Sequence, residues 1–161
     1  LNLDKSANDH MTLTFHDSCN VARGSRMGDS PGGQFEIPRA IIRAVCNNFV
    51  DMAADTIREG TFCCGGGGGL LTDDLMEIRT KGASPRMQAL QEVVEEHGVT
   101  HMAAICAICK SQFSKVMPKY GIDMDRIVSL HQLVSNAIVL DGQIGSESED
   151  DAGPAENTAT V

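Results

Sequence analysis

Two adjacent cysteines stand directly before five consecutive glycines, at residues 63–69. Neighbouring cysteines are poorly placed to form a disulfide with each other. A run of glycines loses more backbone entropy on folding than an ordinary loop does, so it indicates a task that other residues cannot perform. We interpret the run as a place where the backbone comes close to another chemical group.

The chain has 161 residues, of which 42% are hydrophobic, and this is enough for one domain with its own core. The net charge of −9 and the aromatic content of 4% argue against a nucleic-acid-binding surface. No stretch approaches 18 consecutive apolar residues, so we expect no direct membrane span. The polar first ten residues lack the apolar region of a signal peptide.

We expect residues 1–145 to form a single domain. Residues 146–161 contain several acids, no base and few apolar side chains, which predicts a flexible, disordered acidic tail. The chain does not begin with methionine, and we therefore expect it to be a fragment of a longer subunit.

Three apolar stretches have the composition of strands: residues 12–18, 99–106 and 126–130. Helical periodicity separates them, which predicts an α/β fold with a parallel sheet flanked by helices. Cys19 and Cys106 stand at the ends of the first two strands. Because ligands gather at the carboxyl ends of parallel strands, we expect the functional site at this edge of the sheet.

The helices are predicted from their apolar spacing and their end signals. Pro38 is expected to begin a helix that contains Cys46. After the glycines, Thr72 is the expected N-cap of a short helix that ends at Gly82, and Pro85 opens a second helix that ends at Gly98. Further helices are predicted at residues 108–117 and 131–140.

Five of the six cysteines come from three separate places in the chain, namely Cys19, Cys63, Cys64, Cys106 and Cys109. Five thiolates are more than a tetrahedral zinc ion needs, whereas an iron–sulfur cluster accepts thiolates readily. One member of the adjacent pair would bridge two irons and the other would bind terminally. The alternative from spacing alone is a flexible loop beside a structural zinc ion or a redox thiol pair.

The iron–sulfur interpretation also gives the glycines a role. Without side chains, the backbone N–H groups of Gly65, Gly66 and Gly67 can approach sulfides and thiolates, and the positive end of the following helix points the same way. A phosphate-binding loop is disfavoured because no Gly-Lys-Ser/Thr sequence follows the run.

Three motifs, FHDSCN, CCGGGGGLL and ICAICKSQF, resemble the CCG domain of heterodisulfide reductase-like proteins. The resemblance covers about residues 12–140 and is strongest to the C-terminal catalytic part of DsrK-type subunits of DsrMKJOP membrane complexes in sulfate-reducing prokaryotes. It implies a noncubane [4Fe-4S] cluster, with zinc as the alternative metal. The implied ligands are Cys19, Cys63, Cys64, Cys106 and Cys109.

The resemblance further implies reduction of a disulfide or trisulfide at the cluster, with Cys63 and Cys64 as the catalytic pair. The implied partners are the other subunits of a membrane-bound redox complex and a small sulfur-carrier protein of the DsrC type, which places the chain at the cytoplasmic face of the inner membrane. The ferredoxin-like cluster motifs of the family are absent from this sequence, so electrons are expected from elsewhere. A non-catalytic assembly module, of the kind found in glycolate oxidase, lactate-utilisation or succinate dehydrogenase-type enzymes, is the second hypothesis.

Other polar residues near these motifs have a structural and a functional interpretation. Cys46 is expected to be a packed thiol. His16 could bond a sulfur or supply a proton, or simply satisfy a backbone group. Lys110 and Lys115 are expected to be solvated surface residues, although they could attract an acidic partner.

Overall fold

The structure is a computed structural model that describes residues 1–27, 30–31, 34–68 and 70–140, so the predicted tail and the boundary at residue 145 lie outside the described residues. The strands are β1 (Leu13–His16), β2 (Arg26–Met27), β3 (Ser30–Pro31), β4 (His101–Ala104) and β5 (Ile127–Ser129). The helices are α1 (Glu36–Val45), α2 (Met76–His97), α3 (Ala107–Val116) and α4 (Leu130–Ala137).

The main sheet contains three parallel strands in the order β1, β4, β5. Leu13 lies opposite His101, and Met102 lies opposite Ile127. A single parallel bridge from Leu13 to Phe49 extends the β1 edge, while β2 and β3 form a separate short antiparallel pair. The predicted α/β fold with a parallel sheet flanked by helices is confirmed.

Both faces of the sheet are buried. Successive side chains of a strand point to opposite faces, so Met102 and Ala104 of β4 pack with α2 and α3, while Ala103 packs with α1 and α4. Burial on both faces explains why the central strand is a nearly continuous apolar run. The described residues therefore form two hydrophobic cores, one on each side of the sheet.

The predicted break at Gly82 is wrong, because α2 runs without interruption through both Gly82 and Pro85. A proline inside a helix removes one backbone donor, but a long buried face compensates for this loss. Thr72 precedes a 3₁₀ turn, Asp73–Leu75, rather than α2 itself. Although α2 has 22 residues, no helix within the described ranges is both long and apolar enough to cross a membrane.

The prediction for α1 is correct in its position but wrong at its ends. The helix begins at Glu36, two residues before Pro38, and ends at Val45. Cys46 therefore lies outside the helix, in extended conformation with φ −136° and ψ 146°. Its side chain is buried in the core between the sheet, α1 and α4.

Candidate metal centre

The carboxyl ends of β1 and β4 bring two of the motif cysteines to the same edge of the sheet. Cys19 follows the end of β1 and begins a single π-helical turn, Cys19–Arg23, where the Ser18 hydroxyl accepts a hydrogen bond from the N–H of Val21. Cys106 follows the end of β4 and is the N-cap residue of α3. This is the edge at which the sequence predicts the site.

The five motif thiols share one electrostatic neighbourhood. Burial raises the pKa of Cys19, and the charges of Cys63, Cys64 and Cys106 raise it further. The neighbouring thiols of Cys64 and Cys109 interact, which lowers the pKa of Cys64 and raises that of Cys109, and the Cys109 thiol donates to the Ser18 hydroxyl at 3.9 Å. The five proposed ligands therefore lie near enough to influence one another electrostatically.

The thiols differ in their exposure. Cys64 and Cys109 are each only 2% exposed, Cys19 and Cys106 are half-buried, and Cys63 is exposed. Burial alone would raise the pKa of Cys106, but the backbone N–H of Cys109 and other nearby donors lower it overall.

In the part of the chain that the structure describes, no three or more His, Cys, Asp or Glu side chains are arranged to hold a metal ion.

Cys46 lies apart from these five thiols. It belongs to the core on the opposite face of the sheet, whereas Cys64 and Cys109 belong to the core beneath α2 and α3. Burial raises the pKa of Cys46 to about 11, and its charged neighbours are Lys5 and Asp9. These surroundings are those of a packed thiol.

The first two glycines of the run are held tightly in the site. The N–H of Gly65 donates to the Cys63 sulfur at 3.3 Å, and the N–H of Gly66 favours the Cys64 thiolate. Gly65 has a φ of +84°, and a Cβ there would overlap the backbone carbonyl of Arg79. A Cβ at Gly66 would lie 3.1 Å from two side-chain carbons of Gln112. Glycine is therefore required at Gly65, whereas a side chain at Gly66 would need Gln112 and Leu71 to shift by a few tenths of an ångström.

Gly67 differs from its two neighbours. A Cβ built on Gly67 has no atom within 4 Å, and its φ is not positive. Neither the backbone conformation nor the surrounding described residues therefore exclude a side chain at Gly67. Gly68 has a φ of +66° but likewise open space around it.

Asp17 connects the segment around Cys19 to the segment before the cysteine pair. Its carboxylate accepts two bonds of 2.7 Å from Arg39 and one of 2.8 Å from the N–H of Arg58. The hydroxyl of Thr61 donates to the backbone carbonyl of Asp17 at 2.8 Å. This role could not be predicted from the sequence, where its one signal is an acidic residue directly after a buried strand.

A buried cation lies behind the segment that leads to the cysteine pair. Arg86 donates to the Thr61 hydroxyl at 3.0 Å, to the Met52 sulfur at 2.8 Å and to the carbonyl of Thr56, and all three acceptors are neutral. Its guanidinium also lies 5.7 Å from the ring centroid of Phe62. Burial lowers the pKa of Arg86 to about 10, so the side chain stays charged at neutral pH.

We expect a Thr61→Val variant to lose about 2 kcal/mol of unfolding free energy, because the change leaves two buried groups, the Asp17 carbonyl and the Arg86 guanidinium, with one partner fewer. Urea unfolding measures the loss. Thr80→Val is the matched control, since the Thr80 hydroxyl only donates back to the Met76 carbonyl within α2. Equal losses in the two variants would contradict the proposed connection.

His16 is fully buried at the end of β1, with its ring edge-on to Phe113 at 4.8 Å between centroids. Burial, together with the charge of Arg86, lowers the pKa of His16 well below its usual value, so the ring is neutral. Neither ring nitrogen has a partner among the described residues. The sequence suggests a sulfur or a backbone group as the partner of His16, and neither bonds to it in the described part of the chain.

Of the two lysines near the Cys-x-x-Cys motif, both on α3, Lys110 is half-buried and Lys115 is exposed. Lys115 forms an exposed ion pair of 2.7 Å with Asp73. Exposed pairs of this kind contribute little to stability. This contact agrees with the interpretation of Lys115 as a surface residue.

The donor set fits an iron–sulfur cluster. Soft thiolates are the ligands that such clusters prefer, and backbone N–H groups can donate to their sulfurs. The site supplies thiols from three segments and two glycine N–H groups that favour sulfur anions, and the charged Arg86 contacts Thr61 and Phe62 just before the cysteine pair. These features would stabilise an anionic cluster against the cost of its burial.

Residues 13–114 match the family model described as a cysteine-rich domain, CCG. The Hdr-like menaquinol oxidoreductase iron-sulfur subunit of Archaeoglobus profundus is 45% identical over 150 residues, and subunit 2 of Archaeoglobus fulgidus is 41% identical over 148 residues. These alignments cover 93% and 92% of this chain but 25% of each relative.

A probable membrane-anchored ferredoxin of Chromohalobacter salexigens is 28% identical over 126 residues, which are 78% of this chain and 17% of that protein. No solved structure gives a significant match. The family model covers more than half of the chain and includes all five motif cysteines. The chain therefore belongs to the cysteine-rich CCG domain family.

Proposed function

We propose that the chain is the iron–sulfur redox domain of a heterodisulfide reductase-like oxidoreductase subunit. The observation that carries the proposal is a thiol-rich neighbourhood at the carboxyl edge of a parallel sheet, where cysteines from three segments influence one another electrostatically. The relatives named as iron-sulfur subunits support the same conclusion. The proposed ligands are Cys19, Cys63, Cys64, Cys106 and Cys109, with Gly65, Gly66 and Gly67 around the sulfurs.

The number of thiols favours a noncubane [4Fe-4S] cluster. A cubane cluster takes four cysteine ligands, and here a fifth thiol lies in the same neighbourhood. The adjacent pair, Cys63 and Cys64, allows one thiolate to bridge two irons while the other binds terminally. When bound, such a cluster would supply one-electron steps and an iron that can accept a substrate sulfur.

The proposed reaction is reductive cleavage of a sulfur–sulfur bond. A disulfide takes up two electrons and two protons and leaves as two thiols, whereas a trisulfide takes up four of each and also releases hydrogen sulfide. Cys63 is exposed, so the substrate sulfur would approach from its side of the site. Cys64 and Cys109 are buried, so water would be excluded from the side of the cluster opposite Cys63.

We further propose a sulfur-carrier protein of the DsrC type as the substrate and partner subunits as the source of electrons. The names of the relatives refer to menaquinol oxidoreduction and to membrane anchorage. A subunit attached through such partners to the cytoplasmic face of a membrane is consistent with these names.

A non-catalytic role is the second candidate. In this case the domain would hold zinc or an electron-transfer cluster and serve as an assembly module of a larger oxidoreductase. The relative named as a probable membrane-anchored ferredoxin favours this alternative, because a ferredoxin carries electrons and does not itself cleave a substrate.

Metal analysis of anaerobically purified protein distinguishes the two candidates. We expect iron and acid-labile sulfide in nearly equal amounts, and a paramagnetic spectrum of the oxidised protein that changes when a thiol is added, because a thiol can bind to an open iron. A protein with zinc and no sulfide would refute the proposed function. A cluster whose paramagnetic spectrum does not change when thiol is added would favour the electron-transfer alternative.

A further inference from the structure

We propose that the side-chain amide of Gln112 donates a hydrogen bond to a sulfur of the bound cluster and thereby raises its reduction potential. The inference rests on the proposed function, since it requires a cluster at the five thiols. It assigns a task to a residue outside the cysteine and glycine motifs. Gln112 lies one helical turn after Cys109 on α3 and is 0% exposed.

Arg79 fixes the orientation of the Gln112 amide. The guanidinium donates to the Gln112 Oε1 atom twice, from Nε at 2.8 Å and from Nη2 at 2.6 Å. It also donates to the carbonyls of Leu71 and Thr72, at 3.2 and 3.0 Å, so its own position is held from several sides. A flipped amide would place two donors against each other, and Nε2 must therefore face away from Arg79.

The amide nitrogen lies beside the glycine run. Nε2 of Gln112 is 3.1 Å from the place where a Cβ of Gly65 would stand, and its Cβ and Cγ are equally close to that of Gly66. The absence of side chains at these two glycines is what lets the amide approach the loop that follows Cys63 and Cys64. The N–H groups of the same two glycines favour sulfur anions.

Nε2 has no acceptor among the residues that the structure describes. Buried donors in folded proteins nearly always have a partner, because an unsatisfied one is costly. A buried donor held at a fixed angle beside a thiol-rich site therefore points to an acceptor that the protein binds. The sulfurs of an anionic cluster are acceptors of this kind.

A donor to a cluster sulfur stabilises the reduced state more than the oxidised state, since reduction adds negative charge to the sulfurs. Gln112 would accordingly be one determinant of the potential at which the domain accepts electrons. Arg79 acts through it as a positioning residue. The buried ring of His16 has two unpartnered nitrogens, but no measured contact orients them towards the sulfurs.

The test is a potentiometric titration of the cluster in a Gln112→Glu variant of the protein. Glutamate keeps the shape and the bond with Arg79 but replaces the donor with an anionic oxygen. We expect at least about a tenfold shift in the equilibrium towards the oxidised cluster at a fixed potential, which corresponds to 59 mV for a one-electron couple. Gln91→Glu is the matched control. Gln91 lies on α2, and its side-chain amide donates at 3.2 Å to the backbone carbonyl of Tyr120.

A Gln112→Leu variant removes the donor without adding charge, and its potential decides the question if the glutamate variant does not hold a cluster. A lower potential in the Gln112 variants, with that of Gln91→Glu unchanged, supports the proposal. Unchanged potentials in cluster-loaded Gln112 variants overturn it and leave the proposed function intact. Absence of any cluster from the wild-type protein instead refutes the proposed function, and the inference with it.

Discussion

A Gly65→Ala variant is expected to retain little of its iron and to unfold at a lower urea concentration than the wild type. The left-handed backbone at φ +84° costs a non-glycine residue about 1–2 kcal/mol. The new methyl group also overlaps the backbone of α2 at Arg79, and overpacking of this kind costs about 1–3 kcal/mol. Relief of the overlap would move the loop that carries both Cys63 and Cys64.

Two other glycines provide matched controls for this prediction. Gly98 has a φ of +65° and open space around it, so Gly98→Ala should show only the backbone cost and keep its iron. Gly67 has neither a positive φ nor a close neighbour, so Gly67→Ala should change stability little. Iron content that falls equally in all three variants would contradict the proposed close packing at Gly65.

The sheet and the place of the site could be predicted from the sequence, because both depend on local patterns. Three short apolar runs at the right separations indicate parallel strands, and a cysteine soon after a strand is carried to the carboxyl edge with it. These predictions needed no knowledge of long-range contacts.

The path of α2 could not be predicted in the same way. Gly82 and Pro85 are local signals for the end of a helix, and here tertiary packing outweighs them. The continuous helix buries Arg79, Ala83 and Arg86 on the side that packs against the loop carrying Cys63 and Cys64. Gly82 itself lies close to this loop, since a Cβ there would be 3.5 Å from the Cα of Gly65.

The hydrogen-bonded polar residues around the site could not be predicted from the sequence either. Arg79 and Gln112 are 33 residues apart in sequence, and Asp17 and Arg39 are 22 apart, so only the fold brings the partners together. A retrospective signal exists for Gln112, because it stands three residues after Cys109 and therefore on the same side of α3. No comparable signal marks Arg86, whose buried charge has only neutral acceptors.

Cys64→Ser should abolish both cluster binding and cleavage of the sulfur–sulfur bond in the assembled enzyme. Cys64 is buried, and its surroundings, with the neighbouring thiol of Cys109 as the largest cause, lower its pKa and so favour the thiolate that binds iron. A serine hydroxyl is a harder and far less acidic ligand than a thiol, so it is a poor replacement at iron. Iron, sulfide and substrate turnover are measured for wild type and variant side by side.

Cys46→Ser is the control for this variant, since it makes the same chemical change at a buried thiol on the opposite face of the sheet. We expect it to lower stability, because a hydroxyl is placed in an apolar core, while iron content and turnover of the folded protein stay at the wild-type level. Turnover must be measured with the partner subunits present, because the ferredoxin-like cluster motifs are absent from this sequence. Wild-type cleavage activity in the Cys64→Ser enzyme would refute the catalytic proposal and leave the assembly-module alternative as the better account of this domain.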